Sequence, residues 1–562
     1  MDGAGLPFYA AAAGVLSHWF YFIRGEHHVQ GPLLLRLALV LPCLLLGGLW
    51  SYGGLDAISA GTLTLKCVSL YYAALWTSIL VYRIFFHRLR RFPGPFMFKT
   101  SKLWHVYKLA PNSDNYKQLD ALHRQYGDFV RTGKFTTFGL LETVTNRYVS
   151  GPCEVSIFDP NAVPILLGPG TKCTKAPWYD ANLPYISMHT LRDKSAHDKR
   201  RRIWDRGFNA KALRQYEDRI LRYSKELLRQ ISSRSGQTLN ASKFFHFYSF
   251  DVMGDIAFGK SFGMLETGKS NDALNLLAEG MKPLGVLTPA PWIFCVLTSI
   301  PGLSAGFKTF VAWCAEQIQQ RKKMEMEVPD VMSWIIDAAA QASPNEREKE
   351  EQLLESDSRL IIVAGSDTTA ATLTYAFYRL AQNPEHVTKL RAELDPLRGS
   401  DGEYNFKDLQ TADYLNGVIN ETLRLHPPVP SGTLRVTPPE GIMVGQTFIP
   451  GDVTVVSPTY TVGRLESAFE RATEFVPERW YSAPGMIKNK NAFAPFALGP
   501  YSCIGKQLAL MELRSVIALL VTGFNVYFAP GESGSRLIND SKDFFTITIS
   551  DLDLVFAPRK TT

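Results

Sequence analysis

The sequence predicts a mainly α-helical body with small β-sheets, preceded by an N-terminal membrane anchor of one to three helices. Three observations support this fold class. The first 86 of 562 residues carry only seven charged side chains, whereas the rest of the chain is ordinarily charged. Long helical patterns dominate that remainder. Its short β-like segments form hairpins and do not alternate with helices, which disfavours a doubly wound parallel sheet.

Composition excludes several other classes of protein. Seven cysteines with no Cys-x-x-Cys pair are too few for a disulfide scaffold, and they indicate mostly buried free thiols in a reducing compartment. A net charge of +7 is small for this length, so no nucleic acid partner is expected. The composition also excludes disorder and a collagen-like fibre.

Three apolar runs near the N-terminus are each long enough to cross a bilayer. They span Leu6–Ile23, Pro32–Trp50 and Cys67–Phe86. Only Asp2 precedes the first run, where a cleavable signal would have a basic segment. The second run contains Arg36 and Pro42, so an interfacial helix is the alternative for it. The runs therefore predict an anchor of one to three spans.

Basic residues after the third run predict the orientation of the body. These residues are Arg83, His87, Arg88, Arg90 and Arg91. Such a cluster should stay in the cytosol. With three crossings the loop Arg24–Gln30 also faces the cytosol, and the loop Ser51–Thr62, which lacks Lys and Arg, faces the lumen. A single crossing by the third run leaves the body on the same side.

A stiff proline turn, Phe92-Pro93-Gly94-Pro95, separates an anchor region (residues 1–91) from the body (residues 92–562). The body has no internal repeat and no Ser/Gly linker, so it is expected to be one domain. Helical patterns cover Lys211–Ser233, Asn271–Lys282, Ala305–Lys323, Ser356–Gln382, Pro384–Leu397, Leu415–Leu425 and Gly505–Thr522. β-like stretches cover Val155–Phe158, Ile442–Ile449, Val453–Val456 and Phe544–Phe556. The apolar stretch Leu284–Leu303 is either buried core or a surface loop that dips into the membrane beside the anchor.

A cysteine flanked by glycines opens the last long helix. The segment reads Phe496-Ala-Leu-Gly499-Pro-Tyr-Ser-Cys503-Ile-Gly505. N–H groups at a helix start stabilise a thiolate, and glycines let a flat group approach the backbone. Ligation of haem iron by a thiolate requires both features. The alternative is a buried structural cysteine near a turn.

A polar stretch, Ala364-Gly-Ser-Asp367-Thr368-Thr, interrupts the apolar helix predicted over Ser356–Gln382. Its residues are poor helix formers. A glycine beside side chains that hydrogen-bond backbone carbonyls predicts a local bulge in the helix. Such a groove could hold dioxygen and a water molecule, with Asp367 and Thr368 relaying protons. The alternative is a polar, kinked patch that neighbouring helices satisfy.

Opposite charges stand three residues apart at Glu421 and Arg424, an arrangement that is usual for a solvated surface pair. Prolines end this helix, and Arg479 follows in the segment FVPERW. If the chain returns Arg479 to the pair, the three side chains form a buried network that requires complete hydrogen bonding.

Three further donors are candidates for holding the carboxylates of a haem. His197 and Arg201 are four residues apart on a basic helix start, and Arg435 follows the proline stop. Guanidinium and imidazole groups that converge on carboxylates make charge-assisted hydrogen bonds.

In chain order, AGSDTT, ETLR, FVPERW and FALGPYSCIG resemble the four signatures of the cytochrome P450 family. The likeness extends from Pro93 to the C-terminus. It implies the mainly α fold with small β-sheets and a haem b whose iron has Cys503 as its axial ligand. The anchor and hinge resemble those of microsomal members, and the cysteine loop resembles that of fungal members of specialised metabolism.

The resemblance also implies roles for the site residues. Asp367 and Thr368 are expected to be the oxygen-activating pair. Glu421, Arg424 and Arg479 are expected to form the structural network behind the haem. The residues expected to bind the haem are Cys503, Phe496, Gly499, Gly505, His197, Arg201 and Arg435. Family members usually have Arg or His where Tyr501 stands, so a propionate contact from that position is neutral here or lost.

The sequence therefore predicts a monooxygenase that inserts one oxygen atom of O2 into a neutral hydrophobic small molecule. Electrons would come from NADPH through a separate membrane-bound reductase, in the endoplasmic reticulum membrane with the catalytic domain cytosolic. One alternative is a haem-thiolate isomerase or dehydratase, which the intact Asp367–Thr368 pair disfavours. Another is a non-catalytic haem sensor or membrane scaffold.

The reaction subtype stays open. The substrate is expected to be a terpenoid, alkaloid or polyketide, because the segments that the resemblance implies for the pocket are mostly apolar or aromatic. Those segments are Ala176–Thr190, the Ala364 stretch, Val429–Leu434 and Thr548–Leu552.

Overall fold

The computed structural model describes residues 5–133, 154–400 and 402–559. Within these ranges, long apolar helices form an N-terminal group, and the body consists of many helices and several small sheets. This arrangement confirms the predicted mainly α fold with small β-sheets.

The N-terminal group contains three long helices. They are α1 (Leu6–Ser17), α2 (Gly31–Ser51) and α3 (Ala57–Val81), of which α1 and α3 continue as π-helical turns over His18–Phe22 and Tyr82–Phe86. The helix Gly31–Ser51 and the helix Ala57–Phe86 are long and apolar enough to cross a membrane, with mean hydropathies of 2.1 and 1.3. Pro42 lies inside α2 without ending it.

The third helix begins ten residues before the apolar run that the sequence suggested. Asp56 caps it, because the Asp56 carboxylate accepts hydrogen bonds from the N–H groups of Ile58 and Ser59, both at 3.0 Å. The loop predicted over Ser51–Thr62 is therefore shorter than expected.

The loop between α1 and α2 contacts the body through a charged cluster. Arg192 donates two hydrogen bonds to the Glu26 carboxylate, at 2.6 and 2.9 Å. Arg192 also pairs with Asp180, and Nε2 of His28 lies 3.2 Å from the same Asp180 carboxylate. These contacts hold the Arg24–Gln30 loop on the side of the anchor that faces the body.

The helices of the body are α4 (Phe96–Thr100), α5 (Leu103–Leu109), α6 (Asn115–Tyr126), α7 (Ala162–Leu167), α8 (Lys194–Gly207), α9 (Ala210–Ser232), α10 (Ala241–Phe258), α11 (Met264–Thr267), α12 (Asp272–Leu287), α13 (Pro291–Ser299), α14 (Ala305–Arg321), α15 (Val331–Ala340), α16 (Arg347–Gln382), α17 (Pro384–Leu394), α18 (Phe406–Thr411), α19 (Asp413–Leu425), α20 (Thr459–Val462), α21 (Lys506–Gly523) and α22 (Ser535–Asp540). Short 3₁₀ helices connect several of them, including Pro177–Asn182.

The strands are short and belong to small sheets. They are β1 (Phe129–Gly133), β2 (Glu154–Ile157), β3 (Thr174–Lys175), β4 (Thr238–Asn240), β5 (Arg435–Val436), β6 (Ile442–Val444), β7 (Thr447–Ile449), β8 (Thr454–Val456), β9 (Phe524–Phe528), β10 (Lys542–Phe544), β11 (Thr546–Thr548) and β12 (Asp553–Pro558). The largest sheet has the order β1-β2-β8-β5-β3, and the β2–β8 pair in it is parallel. In the same sheet Lys175 pairs with Arg435, so both side chains point to one face.

Helix α16 is the central helix of the body. It begins at Arg347, nine residues before the predicted start. The prediction missed these first turns because they are polar and show no apolar period. It is long and apolar enough to span a membrane, but 72% of its most apolar stretch is buried inside the protein. Its hydrophobic side chains therefore form the core, where α16 packs against α10, α14 and α21.

The stretch Leu284–Leu303 contains the end of α12 and all of α13. Helix α12 passes through Pro283 and ends at Leu287. Helix α13 packs against α2, where a Cβ at Gly31 would lie 3.2 Å from the carbonyl oxygen of Trp292. The stretch is therefore largely helical and lies beside the anchor, with Phe294 buried, and its entry into a membrane stays a prediction.

Candidate active site

Cys503 lies in the tight loop that precedes α21. Its N–H donates a hydrogen bond to the Phe496 carbonyl at 2.8 Å, and its side chain is exposed. The surrounding loop limits hydration of the sulfur and so raises the pKa of the thiol, and the N–H groups of Gly505 and Lys506 act in the opposite direction. The thiol is thus accessible and faces helix-start donors, as ligation of a metal would require.

The two glycines of this loop have different roles. Gly499 has φ +60°, and a Cβ there would lie 2.5 Å from the Gly168 carbonyl oxygen. This glycine therefore allows close contact with another loop of the protein, and its role in making room for a flat group stays a prediction. At Gly505 the nearest neighbour to a Cβ is a ring carbon of Phe208, at 3.9 Å, so this glycine does leave open space.

The polar stretch of α16 is regular helix. The predicted bulge is absent, because α16 is α-helical throughout. The Thr368 hydroxyl donates a hydrogen bond to the Ala364 carbonyl at 2.8 Å. Gly365 accommodates the side chain of Met253, whose sulfur would lie 2.3 Å from a Cβ at that position. Ala364 is nevertheless exposed and Thr368 is partly exposed on an otherwise buried stretch of helix.

Asp367 is buried next to this accessible surface. Burial raises the pKa of its carboxyl to about 7, and the neighbouring Thr546 acts in the opposite direction. Nε2 of His246 lies 3.8 Å from the carboxylate. A pKa raised toward neutrality suits a group that receives and releases protons.

The structure brings Glu421, Arg424 and Arg479 together. The Glu421 carboxylate accepts from Nε and Nη2 of Arg424, at 2.9 and 2.7 Å, and from Nε of Arg479 at 3.0 Å. The Trp480 indole and the Val476 N–H complete its hydrogen bonding, each at 2.9 Å. All three charged side chains are fully buried. This is a satisfied internal network and not a surface ion pair.

A group of basic side chains surrounds Tyr501. The Arg435 guanidinium lies 4.9 Å and the Lys175 ammonium 5.1 Å from the centre of its ring, and the His197 ring lies 4.8 Å from it. Burial, reinforced by Arg435, lowers the pKa of Lys175 to about 6. Burial and Lys175 also lower the pKa of His197. We call these residues, Lys175, His197, Arg435 and Tyr501, the cationic cradle.

The cradle has unused hydrogen-bonding capacity among the described residues. Nε of Arg435 and the Tyr501 hydroxyl are buried without a hydrogen-bond partner. Asp198, which contacts His197 at 3.0 Å, is the one carboxylate bonded to a cradle side chain in the described ranges. More basic side chains than carboxylates converge here, and a bound anion would favour their charged forms, so the cradle fits an anionic group.

Arg201 lies at the edge of the cradle and contacts the cysteine loop. Its Nη1 donates to the Ser502 carbonyl at 2.6 Å, and its Nε donates to Asp205 at 3.0 Å. The guanidinium therefore holds the backbone immediately before Cys503. Lys175 was not among the residues singled out in the sequence, since only the pairing of β3 with β5 reveals that it accompanies Arg435.

Comparisons with known proteins identify the family. The family model "Cytochrome P450" matches residues 169–551. The chain belongs to the cytochrome P450 family. It is 41% identical to the cytochrome P450 monooxygenase notG' of Aspergillus versicolor, over 97% of both chains. It is 39% identical to the tryprostatin B 6-hydroxylase of Aspergillus fumigatus, over 98% of this chain and 96% of that protein.

A solved structure has the same fold as this chain. The haem domain of cytochrome P450DA superposes with a TM-score of 0.64 at 18% sequence identity, covering 81% of this chain and 94% of that structure. The relatives are monooxygenases, and this cytochrome P450 is a monooxygenase.

The family implies a haem-thiolate iron, and the residues present fit it. The accessible thiol of Cys503 would hold the haem iron, and Gly505 leaves space beside it. The cationic cradle supplies more buried donors than this chain uses, including Nε of Arg435. Two haem propionates provide the anionic oxygens that such a donor set requires.

Haem retention in this cytochrome P450 is expected to depend on the cations of the cradle and not on the Tyr501 phenol. Removing one charged donor from a buried pair costs about 2–5 kcal/mol, more than the loss of a neutral hydroxyl. We expect Arg435→Ala and Lys175→Ala to transfer haem to an acceptor apoprotein about tenfold faster or more than the wild type.

Tyr501→Phe is the matched control, because it keeps the ring that the cations contact and removes only the unpartnered hydroxyl. It should transfer haem at nearly the wild-type rate. If Tyr501→Phe loses haem fastest of the three variants, the phenol is the main propionate donor and the assignment to the cations is wrong.

Proposed function

We propose that this cytochrome P450 uses NADPH and O2 to oxidise a hydrophobic small molecule in secondary metabolite biosynthesis, with electrons supplied by a separate NADPH–cytochrome reductase. The observation that carries the proposal is the buried carboxyl of Asp367 beside the partly exposed hydroxyl of Thr368 on α16. A haem-thiolate isomerase, which uses neither reductase nor proton delivery, has no need of this pair.

The side chains have separable tasks in this proposal. When bound, the haem iron activates O2. Cys503 would hold the iron through its thiolate, and Arg201 positions the loop that carries this cysteine. Thr368 presents a hydroxyl to the accessible side of α16, and Asp367 replenishes the proton that leaves through this hydroxyl. Glu421, Arg424 and Arg479 have no part in the chemistry and hold the fold behind the site.

The substrate is proposed to be a hydrophobic natural product such as a terpenoid, alkaloid or polyketide. The 3₁₀ segment Pro177–Asn182 places aromatic side chains against the C-terminal hairpin, where Trp178 stacks on Phe545 with ring centres 4.9 Å apart. Aromatic walls of this kind suit an apolar ligand. The relative that hydroxylates tryprostatin B makes this compound the first candidate to test.

The proposed location is the endoplasmic reticulum membrane, with the body in the cytosol. The basic residues after α3 support this orientation. The contact of Glu26 with Arg192 supports three crossings, because it keeps the first loop on the side of the body.

The test is reconstitution of the purified protein with reductase in lipid. We expect NADPH consumption that requires both proteins and O2, with formation of oxidised product from tryprostatin B or from extracts of the producing organism. A haem sensor or scaffold would consume no NADPH, and an isomerase would convert substrate without it.

Thr368→Ala is expected to leave the haem spectrum nearly unchanged while product formed per NADPH oxidised falls about tenfold or more. The substitution removes one hydroxyl from proton delivery and leaves the iron ligand intact, and proton transfer by a positioned group contributes at least this much. Hydrogen peroxide and NADPH are measured together. Thr372→Ala, whose hydroxyl also bonds the carbonyl four residues back, is the matched control and should stay coupled. Unchanged coupling in Thr368→Ala would show that the polar stretch is structural.

A further inference from the structure

A cavity at the C-terminal end of α16 is lined by tyrosines and basic side chains. It has a volume of about 220 Å³ and lies between α6, the end of α16, α20, α22 and β11. No carboxylate is among the described residues that line it. Its aromatic and basic lining residues are Tyr116, Tyr375, Tyr378, Arg379, His426, Tyr460 and Arg464.

Arg464 has few protein groups to bind its guanidinium. Its Nη1 donates to the Tyr460 carbonyl at 3.1 Å, and this is its only hydrogen bond within the described part of the chain. The guanidinium lies 3.6 Å from the centre of the Tyr460 ring, which covers one of its faces. Burial lowers the pKa of Arg464 to about 10, and Arg424 and Arg379 act in the same direction. A bound anion would favour the charged form of this side chain.

Arg379 brings a second guanidinium to the cavity. Its Nε donates to Nε2 of His426 and its Nη1 to the Gln382 side chain, both at 3.1 Å, and its Nη2 has no hydrogen-bond partner in the described ranges. The His426 ring stacks on Tyr375, with 4.2 Å between the ring centres. Burial and Arg379 lower the pKa of His426 well below its usual range, so this imidazole is neutral. The charged groups of the lining are therefore Arg379 and Arg464.

The carboxylates that act on these two arginines have partners of their own. Asp120 pairs with Arg124 at 2.6 Å, and Glu421 belongs to the buried network behind the site. Neither guanidinium of the cavity forms an ion pair within 4.0 Å among the described residues. Two like charges at one cavity repel each other, and an anion between them would offset this cost.

The cavity is separate from the site of oxidation. Arg379 follows Thr368 by eleven residues, which corresponds to about 16 Å along α16. Strand β11 lies between the two places, because Ile547 lines the cavity and the adjacent Thr546 lies beside Asp367. A ligand in the cavity would therefore lie outside the stretch of α16 that carries the proton-delivering pair.

We propose that this cavity binds a small aromatic carboxylate, whose oxygens lie against Arg464 and Arg379 and whose ring packs among the tyrosines. A guanidinium pairs with a carboxylate through two parallel hydrogen bonds, which gives both affinity and orientation. Apolar contacts come from Pro427, Ile538 and Ile547. Apolar walls with a few convergent polar groups are the usual composition of a small-molecule site. This site goes beyond the proposed monooxygenase function and does not depend on it.

The test is isothermal titration calorimetry of the haem-loaded protein with benzoate, benzamide and inorganic phosphate, while 4-phenylimidazole occupies the haem iron. The iron ligand keeps the three probes out of the haem pocket, so the heat reports binding elsewhere. We expect benzoate to bind about tenfold more tightly than benzamide, which has the same ring but no charge. Phosphate has the charge and no ring, and it should also bind about tenfold more weakly than benzoate.

Arg464→Met is expected to remove the preference for benzoate over benzamide. Ile538→Trp fills the cavity from α22 and leaves both arginines in place, and it should weaken benzoate binding about tenfold or more. Arg229→Met removes an exposed guanidinium on α9 and is the control, which should bind benzoate as the wild type does.

Spectra of the same preparations show whether each variant is folded and loaded, because reduced, CO-treated protein then has the red-shifted Soret band of thiolate ligation. The steric variant Ile538→Trp decides the result if Arg464→Met lacks this band. The proposal is wrong if the wild type does not bind benzoate, binds benzamide or phosphate at least as tightly, or binds benzoate only when the iron ligand is left out. It is also wrong if a folded cavity variant binds benzoate with wild-type affinity.

Discussion

Cys503→Ser is expected to eliminate the red-shifted Soret band of the reduced CO complex and to reduce NADPH-dependent product formation to background. A neutral serine hydroxyl cannot replace the thiolate, which is the ligand that favours O–O cleavage. Both losses should be complete, because no other described cysteine belongs to the glycine-flanked loop.

Cys295→Ser is the control for this prediction. Cys295 is also a free cysteine of the body, and its thiol donates to the Ala181 carbonyl at 4.0 Å. This variant should keep both the band and the activity. Retention of the band in Cys503→Ser or Cys503→Ala would exclude Cys503 as the axial ligand.

Glu421→Gln is expected to lower the yield of folded holoprotein severely and to reduce the melting temperature by about 5 °C or more. The carboxylate accepts five hydrogen bonds, including those from Arg424 and Arg479. Breaking such a pair leaves buried guanidinium charges without compensation, at a cost of about 3–5 kcal/mol. Thermal unfolding followed by the Soret band measures the effect.

An exposed pair with the same spacing provides the comparison. Arg471 and Glu474 are also three residues apart, but both side chains are more than half exposed. Glu474→Gln should change the free energy of unfolding by less than about 1 kcal/mol. Equal effects of the two substitutions would show that the Glu421 network is no more important than a surface ion pair.

The parts of the fold that the sequence predicted well are those with a strong local signal. The helix Ala210–Ser232 is amphipathic and capped by Asn209, and it lies within one residue of the predicted segment. The start of α16 was missed because its first turns, from Arg347 onward, face solvent and have no apolar period. A polar helical face leaves no hydrophobic pattern to detect.

The candidate site shows the same division between local and long-range information. The cysteine loop could be identified from its own residues. The bulge in α16 was predicted wrongly, since Gly365 is explained by its contact with Met253, which belongs to a distant helix. Lys175 could not be found, because its pairing with Arg435 is a tertiary contact.

The measurement that tests the central claim most directly is the source of the oxygen in the product. The holoenzyme and reductase are incubated with NADPH, under ¹⁸O₂ in ordinary water and, in parallel, under ordinary O2 in H₂¹⁸O, and the products are read by mass spectrometry. A monooxygenase with Asp367 and Thr368 delivering protons incorporates one labelled atom from the gas and none from water. A product that carries oxygen from water, or that forms without NADPH, would contradict the account.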